Sequence, residues 1–128
     1  KEQMFAVNDL RFTQSSISPV FGRGPHRGQP VTQLVEDLNR GWISPLDDRL
    51  VLNGFLLKGL AFSYDNRRLY ALQSHQRCQS NGSVIKARTC IWDLHPMTIK
   101  AVMQYNTCDD GLSVEVRHST RKMNGARQ

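Results

Sequence analysis

Within the ten residues Phe21 to Pro30 stand Gly22, Gly24, Pro25, Gly28 and Pro30. No helix or strand survives that density of breakers, so the stretch reads as a loop. It divides the chain into a short leading segment and a body whose first long element must start at Val31.

From there the periodicity is legible. Val31, Leu34, Val35 and Leu38 fall at i, i+3, i+4 and i+7, one apolar helix face over Val31–Arg40. Thr32 is expected to cap its start, Gly41 to stop it, and Pro45 to forbid continuation. Two strands, Arg49 to Leu52 and Phe55 to Phe62, flank Asn53-Gly54, a strong hairpin signal. Asp65 is an expected N-cap for a second helix carrying Leu69 and Leu72 inward. Val84–Trp92 alternates as a strand, with Ile85, Ala87, Thr89 and Ile91 on one face. Pro96–Tyr105 reads as a third helix with Ile99, Val102 and Met103 inward. Asp109-Asp110-Gly111 reads as a turn, and Leu112–Arg117 as a last strand. Upstream, Val7–Phe12 is a short strand, followed by a turn that Thr13 or Ser15 caps. The irregular order predicts an α+β fold with a mixed sheet and about three helices.

A chain of 128 residues supports a single core, here assigned to residues 1–118, with 119–128 as a loose basic tail. Net charge is +6, which favours a polyanionic partner or an anionic substrate. Cys78, Cys90 and Cys108 form neither a zinc motif nor a disulfide framework and suit a reducing cytoplasm, although one pair could bridge, Cys78 and Cys108 both lying near expected loop edges. No run of about 20 apolar residues spans a membrane. No signal segment precedes the first strand, and the opening Lys1-Glu2-Gln3 suits an excised or processed piece of a longer protein.

The chemistry concentrates in Ser63-Tyr64-Asp65-Asn66-Arg67-Arg68, where a strand feeds a helix. The first amides of a helix lack partners, and the helix dipole adds roughly half a positive charge there. Arg67 and Arg68 add forked, permanently charged donors that fit phosphate oxygens. They also repel one another and the dipole, a cost a sequence carries where the charges are used. The competing reading makes Asp65 a plain cap and pairs the arginines with Glu36, Asp47 or Asp48.

Phe62-Ser63-Tyr64-Asp65-Asn66-Arg67-Arg68 resembles the nucleotide-phosphate corner of the ParB/sulfiredoxin superfamily, which carries Gly-Glu-Arg-Arg in ParB proteins and Phe-Ser-Gly-Cys-His-Arg in sulfiredoxins. It is most similar to a ParB-like group with an Asp-Asn-Arg-Arg-Leu motif. The likeness extends from Arg11-Phe12-Thr13-Gln14-Ser15-Ser16-Ile17 through Val35-Glu36-Asp37-Leu38 to Ser113-Val114-Glu115-Val116-Arg117. Such domains occur as C-terminal warheads of bacterial polymorphic toxins. The resemblance implies a ParB/sulfiredoxin-like mixed sheet and a nuclease acting on DNA or RNA. It implies a divalent cation such as Mg2+ or a bound nucleotide, and an immunity protein as partner of a delivered toxin. Asn66 stands at the sulfiredoxin cysteine and the ParB glutamate. Sulfinic-acid reduction is therefore not expected, and water activation moves to Asp65 or elsewhere.

The candidate catalytic residues are Asp65, Asn66, Arg67, Arg68 and His75. The candidate phosphate ligands are Arg67, Arg68, Ser63, Gln14 and Ser15, and no metal ligand is assigned. His26, His75, His95 and His118 show no metal-ligand spacing. His26, in the glycine-rich loop with Arg23 and Arg27, is placed to close over a ligand. Tyr64, Tyr70 and Trp92 are aromatics that stack on bases when they are not in the core. Two alternatives to a nuclease stand: a non-catalytic nucleotide- or nucleic-acid-binding module, and a nucleotide-dependent phosphotransferase.

Overall fold

The computed structural model describes residues 1–102 and 111–117. Met103 and Tyr105, Cys108, Asp109, Asp110, His118 and the basic tail lie outside the described residues. The strands are β1 (Glu2–Ala6), β2 (Leu10–Phe12), β3 (Ser16–Ile17), β4 (Leu52–Leu57), β5 (Leu60–Ser63), β6 (Lys86–Ile91) and β7 (Glu115–Val116). The helices are α1 (Val31–Asn39), α2 (Asn66–Arg77) and α3 (Pro96–Val102), with 3-10 turns at Val7–Asp9 and Asp48–Leu50.

Five strands form a mixed sheet in the order β1-β6-β4-β5-β2, and β3 pairs in parallel with β7. β1 runs antiparallel to β6 and β4 antiparallel to β5, while β6–β4 and β5–β2 are parallel. This is an α+β fold with three helices, as the element order requires.

The core explains the helix pattern. Val31, Leu34 and Leu38 of α1 meet Leu69, Ala71 and Leu72 of α2 over Leu10, Phe12, Leu52, Ala61 and Ala87 of the sheet. Burial of such side chains supplies most of the stability, about 1.5–3 kcal/mol for each large apolar one. Gln73, itself buried in α2, donates from Nε2 to the carbonyls of Val7 (3.0 Å) and Leu10 (3.2 Å), fastening the turn between β1 and β2. Ala87 and Thr89 of β6 are fully buried, as the alternation requires.

Several expectations are corrected. The hairpin turn is Lys58-Gly59, not Asn53-Gly54: Lys58 has φ 53° and Gly59 φ 81°, the paired positive values of the tight hairpin turn. Asn53 and Gly54 lie inside β4, where a Cβ on Gly54 would collide with the Phe62 carbonyl oxygen. Glycine is there for strand contact, not for a turn. Val7–Phe12 is not one strand but a 3-10 turn followed by β2, and β1 precedes it. Arg49 and Leu50 belong to the Asp48–Leu50 turn and β4 starts only at Leu52, while Ser16–Ile17 form β3 where a helical turn was expected. α3 buries none of its residues. At α1, Pro30 rather than Thr32 occupies the cap, without a side-chain hydrogen bond, while Gly41 takes φ 76° just past the end, as expected.

Candidate functional site

β5 ends at Ser63 and the chain turns through Tyr64 and Asp65 into α2. The parallel pairing of β2 with β5 sets Phe12 opposite Ser63, so Thr13 and Gln14 emerge beside that turn. Asn66 locks the two together. Thr13 N–H donates to Asn66 Oδ1 (2.8 Å), and Asn66 Nδ2 donates to Thr13 Oγ1 (2.9 Å) and the Tyr64 carbonyl (3.0 Å). Thr13 Oγ1 in turn donates to the Ser63 carbonyl (2.9 Å), and Ser63 Oγ accepts from Asp65 N–H (3.0 Å). Ser63, Asn66 and Thr13 are all buried, so these bonds form in a poorly solvated setting where each unmade one is costly.

Asp65 occupies the cap position of α2 but makes no side-chain cap bond. Its Oδ2 instead accepts from the backbone N–H of Asn53 (2.6 Å) and from Asn53 Nδ2 (3.2 Å), and lies 3.7 Å from Arg68 Nη1. Arg68 Nη1 also donates to the Val51 carbonyl (3.0 Å). The glycine-rich loop lies over this guanidinium: a Cβ on Gly24, whose φ is 84°, would come within 3.3 Å of Arg68 Nη2. The helix mouth thus keeps its first-turn amides uncapped while the acid is used sideways, on β4.

In front of that mouth is an open cavity of about 330 Å³. It is lined by Gln14, Phe21, Arg23, Tyr64, Asp65, Asn66, Arg67 and Arg68. Three arginines face one carboxylate. Among the described residues, neither Arg67 nor Arg23 has a carboxylate within ion-pair range, and Arg67 Nε is buried with no hydrogen-bond partner. Burial of the Tyr64 phenol pushes its pKa up, keeping it a neutral donor.

The cavity therefore gathers five of the eight candidate catalytic and phosphate-binding residues: Gln14, Asp65, Asn66, Arg67 and Arg68. Ser63 sits beneath it, spent on the turn. Ser15 is exposed outside the lining, its carbonyl accepting from Glu115 N–H (2.9 Å). His75 also lies outside the lining: it is buried, with Nδ1 2.7 Å from Asn39 Oδ1 of α1, and burial lowers its pKa. Arg23 and Phe21 complete the lining from the loop. The Gly22–Gly28 run, which resembles a phosphate loop only in composition, was the sequence signal for them. His26 is 94% buried against Phe21 (ring centroids 5.2 Å apart), with Nε2 unpartnered. Burial, then the charge of Arg68, lowers its pKa. Among the described residues no group of three His, Cys, Asp or Glu side chains is arranged to hold a metal ion, and no helix is long and apolar enough to cross a membrane. Cys78 and Cys90 are free thiols.

Comparison of the chain with family models, with curated proteins and with solved structures finds no match.

Proposed function

We propose that the cavity holds a phosphodiester of a nucleic acid and that the domain is a nuclease of the ParB-like kind, in the manner of a delivered toxin domain. The reading is carried by the guanidiniums of Arg67 and Arg23, unpaired among the described residues, in the wall of an open cavity at an uncapped helix start. Cations left without partners beside helix amides are the arrangement that takes an oxyanion. Arg67 and Arg23 neutralise the non-bridging oxygens, and Arg68, held by Val51 and Asp65, sets the field behind them. Asp65 is the acid of the lining. Its Oδ2 is engaged with Asn53, which leaves Oδ1 to take the proton of an attacking water or to hold a divalent cation such as Mg2+. Asn66, the third polar member of the corner, orients the turn.

A second reading is a non-catalytic nucleotide- or nucleic-acid-binding module. The observation that favours it is the same Asp65: its Oδ2 already accepts two bonds from Asn53 and so serves the fold. Incubation with plasmid, RNA and ATP, with and without magnesium, separates the readings. Nicked DNA or cut RNA, abolished in Arg23→Ala/Arg67→Ala, is the expected result. Salt-sensitive binding without turnover supports the module, and ATP turnover without cleavage a phosphotransferase. An Arg23→Ala/Arg67→Ala protein that cleaves and binds as before removes the site altogether.

A further inference from the structure

One large aromatic, just past the end of β6, is left half in solvent. Trp92 directly follows β6 and is 52% exposed, although a side chain of that size usually gives up far more of its surface to the core. It is not loose. Its N–H donates to the Gly54 carbonyl (2.8 Å), and its indole Nε1 donates to Asn53 Oδ1 (3.0 Å). The same Asn53 side chain donates from Nδ2 to Asp65 Oδ2, and its backbone carbonyl accepts from Tyr64 N–H (2.8 Å). The indole is therefore fixed in orientation, two hydrogen bonds from the acid of the cavity.

The face it occupies is aromatic. Alternation along β4 and β5 turns Leu52 and Ala61 toward the helices, and Phe55 and Phe62 to the other side. There Phe55 stacks on Phe62 (5.7 Å, 12° between planes) and meets Tyr64 (5.4 Å). Tyr64 is part of the cavity wall. Phe55 and Phe62 are themselves buried, so the aromatic surface offered to solvent on this face is Tyr64 in the cavity wall and the held indole.

We propose that Trp92 is the base-stacking surface of this site and that its substrate is single-stranded: a phosphate sits among Arg23, Arg67 and the helix mouth while a neighbouring unpaired base lies on the indole. A base within a duplex offers its edges but not its face, so a stacking indole selects unpaired strands. The polar tie through Asn53 gives the preference a chemical meaning, because the residue that orients the indole also holds the carboxylate of the cavity. The inference rests on the phosphate reading of the cavity.

The test keeps the two apart. The chain has two tryptophans, so Trp42→Phe leaves Trp92 as the sole indole reporter. That protein is titrated with a short single-stranded deoxyoligonucleotide, with the same strand built from abasic sugars, and with its duplex. Quenching of Trp92 by the base-bearing strand and not by the abasic one is expected. Trp92→Ala should weaken single-strand binding about tenfold while leaving abasic binding unchanged, and Trp92→Phe should restore much of it. Equal binding by the parent and Trp92→Ala, or a preference for duplex, overturns the stacking proposal alone, provided abasic binding still falls in Arg23→Ala/Arg67→Ala. Abasic binding indifferent to those arginines, or no binding of any strand, overturns the phosphate reading and the stacking proposal with it.

Discussion

Arg88 on β6 and Arg67 on α2 show two uses of the same side chain. Arg88 is closed. Its Nε lies 2.8 Å from Glu2 Oε2 and its Nη2 3.1 Å from Glu2 Oε1, while Nη1 donates to Asp48 and to the Leu46 carbonyl (3.1 Å). Those bonds raise the Arg88 pKa and lower that of Glu2, joining β1 to the far side of β6 and to the turn before β4. Arg67 has no such enclosure among the described residues: its Nε is buried without a partner there, and the open cavity lies in front of it. An arginine whose nitrogens are all answered by its own chain holds the fold. One that is desolvated and unanswered holds its place for something that arrives.

The contrast breaks most visibly at Asn66, which belongs to the site by position and to the fold by bonding. Asn66→Ala removes three hydrogen bonds and strands the buried N–H of Thr13. A stability loss of about 3 kcal/mol is expected, from an unsatisfied buried donor and the lost bonds together. It would read as a lower urea midpoint with an unchanged slope. An Asn66→Ala protein of parental stability would mean that the corner is held by something other than this clasp.

Next in size is the direct exchange of the two arginines. Arg67→Ala should weaken strand binding at least tenfold, as loss of a charged contact does, and shrink the salt slope by about one, with stability within about 0.5 kcal/mol of the parent. Arg88→Ala should do the reverse, with a small drop in urea midpoint and binding and salt slope intact. Side chains as exposed as Glu2 and Asp48 make weak ion pairs. Equal effects of the two substitutions on binding would erase the distinction between closed and open guanidiniums.

Some of this was legible in the sequence because one local rule decided it. The period of Val31, Leu34 and Leu38 marks α1, and Gly41 ends it, because a helix face and a left-handed residue after it need no distant partner. The run from Ser63 to Asn66 reads as a strand meeting a helix for the same reason. The hairpin misled because Asn-Gly and Lys-Gly both supply positive φ, and only the partner strand decides. Gly54 faces the Phe62 carbonyl, and that contact cannot be seen along the chain. β1 shows no alternation because it is an edge strand with its first three residues exposed. The residues of the corner were visible as a set, but not their division of labour. Asn66 and Ser63 turn inward because Thr13 comes back beside them, and Arg23 joins Arg67 through the packing of a loop that carries no period. His75 looked near the motif in sequence, yet its helical position sends it to Asn39 of α1.

The smallest effect separates the same two regions by pH. His26 and His75 are both held below the ordinary histidine value of 6.5. A lowered folded-state pKa means the unfolded chain takes up the proton first as pH falls. The stability each histidine contributes is thus complete above 6.5 and is lost as pH drops through the lowered values. Burial alone acts on His75, in the closed region. On His26 the charge of Arg68 acts as well, and an anion in the cavity would offset that charge. Inorganic phosphate should therefore raise the His26 midpoint toward 6.5 and leave that of His75 where it was, as followed from the imidazole carbon-bound protons by NMR. The separation of the two midpoints on adding phosphate is a direct reading of which region is open. If the two histidines shift together, the anion is acting on the whole surface, and the cavity beside Arg68 has no special claim on it.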